Sequence, residues 1–178
     1  MIRRVAQTGK PMIISTGMAS VAEIAQAVDT ARAHGCKDLV LLKCTTSYPA
    51  SPENTHLRTI PHMRDLFDCP VGLSDHTMGI GAAVAATALG AVVIEKHFTL
   101  RRADGGVDAA FSLEPEELHS LVIETERAWQ AMGQVHYGHT ESEAHARTRR
   151  RSLYIVADLQ KGERLTAANL RAIRPGSG

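Results

Sequence analysis

Apolar residues fall in four short runs, each trailed by a polar loop and then by a stretch with helical spacing. Pro11 to Ser15 is the first run; Thr16-Gly17 breaks it, and Val21 to about His34 carries apolar residues at helical spacing until Gly35 stops it. Ser20 is placed to cap that helix, with Glu23 three positions on completing a capping box. Leu39-Val40-Leu41-Leu42 has no alternation, as in a strand buried on both faces of a parallel sheet. A polar loop from Thr45 to Thr55 follows, with Pro49 and Pro52, and a helix ends near Phe67. The third run is Pro70 to Ser74, with an Ala-rich helix from about Ile80 to Leu89 and a stop at Gly90. The fourth is Ala91 to Glu95. Its loop, Leu100 to Ser112, carries Gly105-Gly106, and its helix runs from about Pro115 to Met132, with Glu116 and Glu117 suited to the first-turn dipole.

Strand, loop and helix repeated at roughly 25–35 residues predict an α/β chain with a parallel sheet. The rhythm alone leaves a barrel and an open doubly wound sheet equally available, and four strands are too few to close a barrel of about eight. After Gly133 the pattern changes. Residues 134–151 are polar, with His136, His139 and His145, and read as a linker between a domain over 1–133 and a new apolar segment that starts at Ser152. The stretch 152–178 is too short to enclose a core of its own.

Composition narrows the function classes. The chain has 178 residues and a formal net charge of +1, which argues against a broad nucleic-acid footprint. The local basic run Arg147, Arg149, Arg150, Arg151 lacks interleaved aromatics and reads as solvated linker or an anion contact. No apolar run approaches a membrane span and no secretory leader is visible, so no membrane partner is expected. Three cysteines without metal spacing suit free thiols in the cytoplasm.

The chemistry-bearing residues cluster directly after the apolar runs. Gly72-Leu73-Ser74-Asp75-His76-Thr77 puts Ser74 and His76 on one side of a strand and Asp75 on the other. In Glu95-Lys96-His97, Val93, Glu95 and His97 share a face, with Val93 in the core. C-terminal strand ends form the active face of parallel α/β sheets, and adjacent strands lie about 4.8 Å apart, so His76 and His97 can share one divalent ion with open positions left over. The plainer alternatives are helix capping by Ser74 or Asp75 and a salt-bridged rim. Ser15-Thr16-Gly17 suits either an anion at a helix N-terminus or simple capping. Thr46 and Tyr48 share parity and can bond a sugar or phosphate, or pack the loop. Asp104 and Asp108 belong to a lid or a solvated turn; Trp129 reads as core. A Schiff-base lyase would need Lys43 or Lys96, both on the wrong parity.

KPMIISTGMAS (Lys10 to Ser20), LLKCTTSYPASPEN (Leu41 to Asn54), GLSDHT (Gly72 to Thr77) and EKHFTL (Glu95 to Leu100) resemble the sialic acid synthase family. GGVDAAFSLEP (Gly105 to Pro115) is most like its pseudaminic acid branch, and the tail from Arg151 resembles the start of its antifreeze-like SAF domain. The resemblance implies a partial TIM (β/α)8 barrel, strands five to eight, followed by a truncated SAF domain over 152–178. It implies condensation of phosphoenolpyruvate with an N-acetylated amino-sugar aldehyde to a nine-carbon 2-keto acid with release of phosphate. It makes His76 and His97 the metal ligands, typically for Mn²⁺. Glu95 becomes a catalytic sugar contact with Asp75 supporting the site; Ser15 and Ser74 become hydroxyls at the phosphoenolpyruvate end. Thr46 and Tyr48 fall beside the sugar, and Arg174 reaches the partner subunit's site in a domain-swapped homodimer. It also implies that the missing half supplies part of the chemistry, so an inactive remnant is the alternative.

Overall fold

A computed structural model describes residues 1–147 and 149–174. The chain forms two compact units, Met1–Gly133 and Gln134–Gly178. The first contains α1 (Ile2–Ala6), β1 (Met12–Ser15), α2 (Val21–Ala33), β2 (Leu39–Cys44), α3 (Thr59–Phe67), β3 (Val71–Asp75), α4 (Gly81–Ala88), β4 (Ile94–Lys96) and α5 (Pro115–Met132). The second contains α6 (Ala144–Arg147), inside the stretch expected to be linker, and the antiparallel pair β5 (Ser152–Ile155) and β6 (Leu170–Ile173). Of the expected SAF segment, residues 175–178 lie outside the described residues.

Sheet order decides between the two architectures that the repeat left open. The four strands of the first unit are parallel and stand in chain order, β1-β2-β3-β4. A doubly wound sheet reverses its order at a switch point and places helices on both faces. Here α1 through α4 bury one face only: Ala6, Val28, Ala31, Ile60, Met63, Phe67 and Ala86 pack on Met12, Leu39, Leu41, Val71 and Leu73. The α4–α5 seam closes on the same side through Ala83, Leu113 and Leu121. The result is a curled half-barrel with the helices on its convex face; on the concave face Leu42, Cys44 and Ser74 are buried, while Ile13 on the outer strand is exposed.

The concave face carries the other strand parity: Ile13 and Ser15, Leu42 and Cys44, Gly72 and Ser74, Glu95. Ile13 is 58% exposed there, since no opposing strands fill the interior of this unit. Val93, expected in the core, is only partly buried for the same reason. β4 is shorter than the expected Ala91–Glu95, although Val92 N–H still bonds the Val71 carbonyl. Trp129 is 70% exposed rather than core: α5 packs on α4 along one flank, and Trp129 lies in an open groove with Val92 and Val122.

Gly72 sets the spacing of the strands that matter most. A methyl group there would strike the Val93 carbonyl oxygen and come within 2.7 Å of Leu42 Cδ2. Backbone cannot yield as a flexible side chain can. Gly72→Ala is therefore expected to cost about 1–3 kcal/mol of overpacking in a denaturant titration, and to loosen the β3–β4 pairing.

Candidate active site

The β3 and β4 strand ends bring three successive cross-strand pairs together, and strand parity gives each a different role. Ser74 and Glu95 face each other on the concave side, and Ser74 Oγ donates to Glu95 Oε1 at 2.6 Å. Asp75 and Lys96, one residue on, face the helices. Lys96 Nζ donates to Asp75 Oδ2 at 2.7 Å and to the Thr77 carbonyl at 2.6 Å, and Thr77 N–H donates to Asp75 Oδ1 at 2.9 Å. The side chains of Lys96 and Asp75 are 3% and 0% exposed. Asp75, grouped with Glu95 as support for the site, is thus a buried ion-pair partner whose two oxygens are already engaged, not a group at the mouth. One residue further, the rings of His76 and His97 stand edge to face with centroids 5.2 Å apart.

The β2 loop closes over this pair. Tyr48 lies with its ring centroid 4.3 Å from that of His76 and 5.9 Å from that of His97. The loop is tied down by Ala50 N–H, which donates to the His76 carbonyl at 2.9 Å. On the other side the β4–α5 loop supplies Phe111, buried, with its centroid 5.0 Å from His97 and 6.1 Å from Tyr48. The two histidines therefore sit between two aromatic walls that come from separate loops. Arg102 clasps the second loop, donating to the Ser112 carbonyl at 3.0 Å and pairing with Glu117 and Glu114. The Arg102 bond, then the Glu114 N–H, holds the Glu117 carboxyl below its usual range. A carboxylate lowered in the fold contributes above its unfolded value, and that contribution fades as pH falls through the lowered one, so the clasp loosens only in acid.

Hydrogen bonding fixes which histidine nitrogen is free. His76 Nδ1 lies 2.9 Å from the Thr45 carbonyl, which can only accept, so Nδ1 carries the proton and the neutral ring keeps its lone pair on Nε2. His97 Nδ1 faces the Asp108 carboxylate at 3.6 Å. A ligating imidazole typically has its second nitrogen directed at a carbonyl or carboxylate, and both rings have one. Two imidazoles fit a borderline divalent ion that draws its remaining ligands from water or substrate oxygens. Among the described residues, no group of three or more His, Cys, Asp or Glu side chains is arranged to hold a metal by itself.

Ser15 ends β1 on the concave face, cross-strand from Leu42 and two strands away from Gly72. Its turn adjoins the β2 loop: a Cβ on Gly17 would come 3.3 Å from Thr46 Oγ1. Thr16, the helix-capping alternative to a ligand group, is buried with Oγ1 donating to the Leu42 carbonyl at 3.0 Å. Arg174 follows β6 in the second unit and is exposed. Lys43 and Lys96 both lie on the helix-facing parity, and Lys96 is consumed by Asp75, which removes the footing for a Schiff base. The sequence reading missed Phe111, whose signal was an aromatic in the loop of a strand that ends in chemistry. It also left Asp108 undecided between lid and turn. The Thr45 carbonyl had no signal at all, because a backbone acceptor has no residue type.

Residues 1–137 match the NeuB family. N,N'-diacetyllegionaminic acid synthase of Campylobacter jejuni is 39% identical over 99% of this chain and 54% of its own length. Pseudaminic acid synthase of the same organism is 38% identical over 99% of this chain and 52% of its own length. The crystal structure of N-acetylneuraminic acid synthetase from Leptospira borgpetersenii superposes with a TM-score of 0.74 at 36% identity, covering 82% of this chain and 50% of that one. The chain spans about half the length of the relatives it matches. No helix among the described residues is long and apolar enough to cross a membrane.

Proposed function

This chain belongs to the NeuB family, and we propose on that footing that it is the C-terminal half-barrel of a nonulosonic acid synthase, with the start of a SAF domain over 152–178. The reaction joins C3 of phosphoenolpyruvate to the aldehyde carbon of an N-acetylated amino sugar. Water oxygen adds at C2, the C2–O bond to phosphorus breaks, phosphate leaves, and the aldehyde oxygen takes up a proton. The observation that carries the reading is the facing of His76 and His97 at 5.2 Å, each with Nδ1 directed at an oxygen.

A divalent ion, Mn²⁺ in this reading, supplies Lewis-acid polarisation of the aldehyde, with Nε2 of His76 and His97 as its protein ligands. This chain's own residues bind and orient the substrates on their side of the site. Glu95 is held by Ser74 and accepts hydrogen bonds from sugar hydroxyls. Tyr48 and Phe111 flank the acyclic sugar and exclude water from one side. Ser15 and Ser74 serve the phosphoenolpyruvate end, and Thr46 donates to a sugar or phosphate oxygen. Arg174 extends to the partner subunit's site in a domain-swapped homodimer, where a planar guanidinium suits a carboxylate. Asp75 acts only through Lys96. The GGVDAAFSLEP segment favours the pseudaminic branch, and the setting is cytoplasmic.

Phosphoenolpyruvate labelled with ¹⁸O at the bridging oxygen tests this reading. Incubated with the pseudaminic-type amino-sugar aldehyde and Mn²⁺, the chain joined behind the first half-barrel of a relative should release ¹⁸O-labelled phosphate only when the sugar is present. No sugar-dependent release from that protein would overturn the synthase reading.

A further inference from the structure

We propose that Lys43 is a positioning residue for His76, acting through Thr45. The inference rests on His76 being a working imidazole of the condensation site. Lys43 lies on the helix-facing parity of β2, in register with Leu73, and cannot reach the mouth from there. Its ammonium donates to the Cys44 carbonyl at 2.9 Å and to Thr45 Oγ1 at 3.0 Å. Thr45 Oγ1 in turn donates to the Asn54 carbonyl at 3.1 Å, spanning the base of the loop. The Thr45 carbonyl accepts from Ser47 N–H at 2.9 Å and from His76 Nδ1 at 2.9 Å. Lys43 therefore holds the peptide and the hydroxyl on one side of Thr45, while the carbonyl on the other side carries the ring.

Lys43 is half-buried, and among the described residues it forms no ion pair with a carboxylate. Burial pushes its ammonium below the usual range, with the neighbouring Cys44 thiol opposing. A half-buried cation without a counter-charge is a cost that an apolar side chain would avoid. What the lysine provides here, and a leucine would not, is two donated hydrogen bonds at the root of the loop that fixes the His76 proton on Nδ1. The same loop brings Tyr48 onto the ring, so a slack root would disturb both contacts.

The test reads the proton rather than turnover. Long-range ¹H–¹⁵N spectra of the metal-free 178-residue chain, with histidines labelled and His76 assigned by loss of its signals in His76→Gln, report the tautomer directly. The wild type should show Nδ1–H at His76. Lys43→Met should raise the ratio of Nε2–H to Nδ1–H about tenfold and weaken binding of Mn²⁺ alone about tenfold, the lower end for a group supporting a ligand. Thr45→Val should do the same, the double variant should add nothing, and Lys43→Arg should restore the wild-type ratio. If Lys43→Met folds poorly, Thr45→Val against Lys43→Arg carries the comparison. An unchanged tautomer in Lys43→Met, or additive effects in the double variant, would overturn the inference. The outcome is separable from the proposed function: if His76→Gln left Mn²⁺ binding untouched the ligand reading would fall, while the tautomer result would stand on its own.

Discussion

Lys96→Met should destabilise the half-barrel by about 3–5 kcal/mol, the cost of breaking a buried ion pair from one side. The Asp75 carboxylate is fully buried, and without Lys96 the Thr77 N–H is the one donor left to it among the described residues. Asp75→Leu combined with Lys96→Met should recover most of the loss, because the pair as a whole gains little over well-packed apolar groups. Denaturant titration of the two single variants and the double checks both statements. A loss below about 1 kcal/mol in Lys96→Met, the range of an exposed pair, would show that the contact is not the buried tie described. The consequence reaches the site by sequence adjacency. Asp75 precedes His76 and Lys96 precedes His97, so the pair clamps the two histidine-bearing strand ends at one spacing.

The second large effect concerns those histidines. His76→Ala and His97→Ala should each weaken Mn²⁺ binding by more than about 100-fold, since outer partners of a ligand alone are worth about 10–100-fold. Asp108→Ala should fall inside that smaller range, through His97 alone. Calorimetric titration distinguishes the three. Equal, small losses in all of them would place the ion elsewhere.

Much of this arrangement was legible in the chain because period-two alternation is local. It separated Ser74, His76, Glu95 and His97 from Asp75 and Lys96, and the register then turned the first set into a facing cluster and the second into a salt bridge. Ser20 and Glu23 announced the start of α2, and both capping hydrogen bonds form. Other features depended on partners distant in sequence. Nothing local tells that Trp129 on α5 and Ile13 on β1 stay exposed, because exposure depends on whether another element covers that face of the helix or strand. The five-residue α1 has no cap that marks it. The closing of Tyr48 and Phe111 over the histidines is a tertiary event between loops more than fifty residues apart in the chain. The choice of Nδ1 on His76 as the protonated nitrogen rests on a backbone carbonyl and is invisible to residue type.

The central claim, that His76 and His97 form one divalent half-site, is tested most directly by pulsed electron paramagnetic resonance of Mn²⁺ bound to the chain. The wild type should show couplings from two imidazole nitrogens, each single histidine-to-alanine variant one, and the double variant none. Nitrogen couplings that persist unchanged in His76→Ala or in His97→Ala would contradict the account.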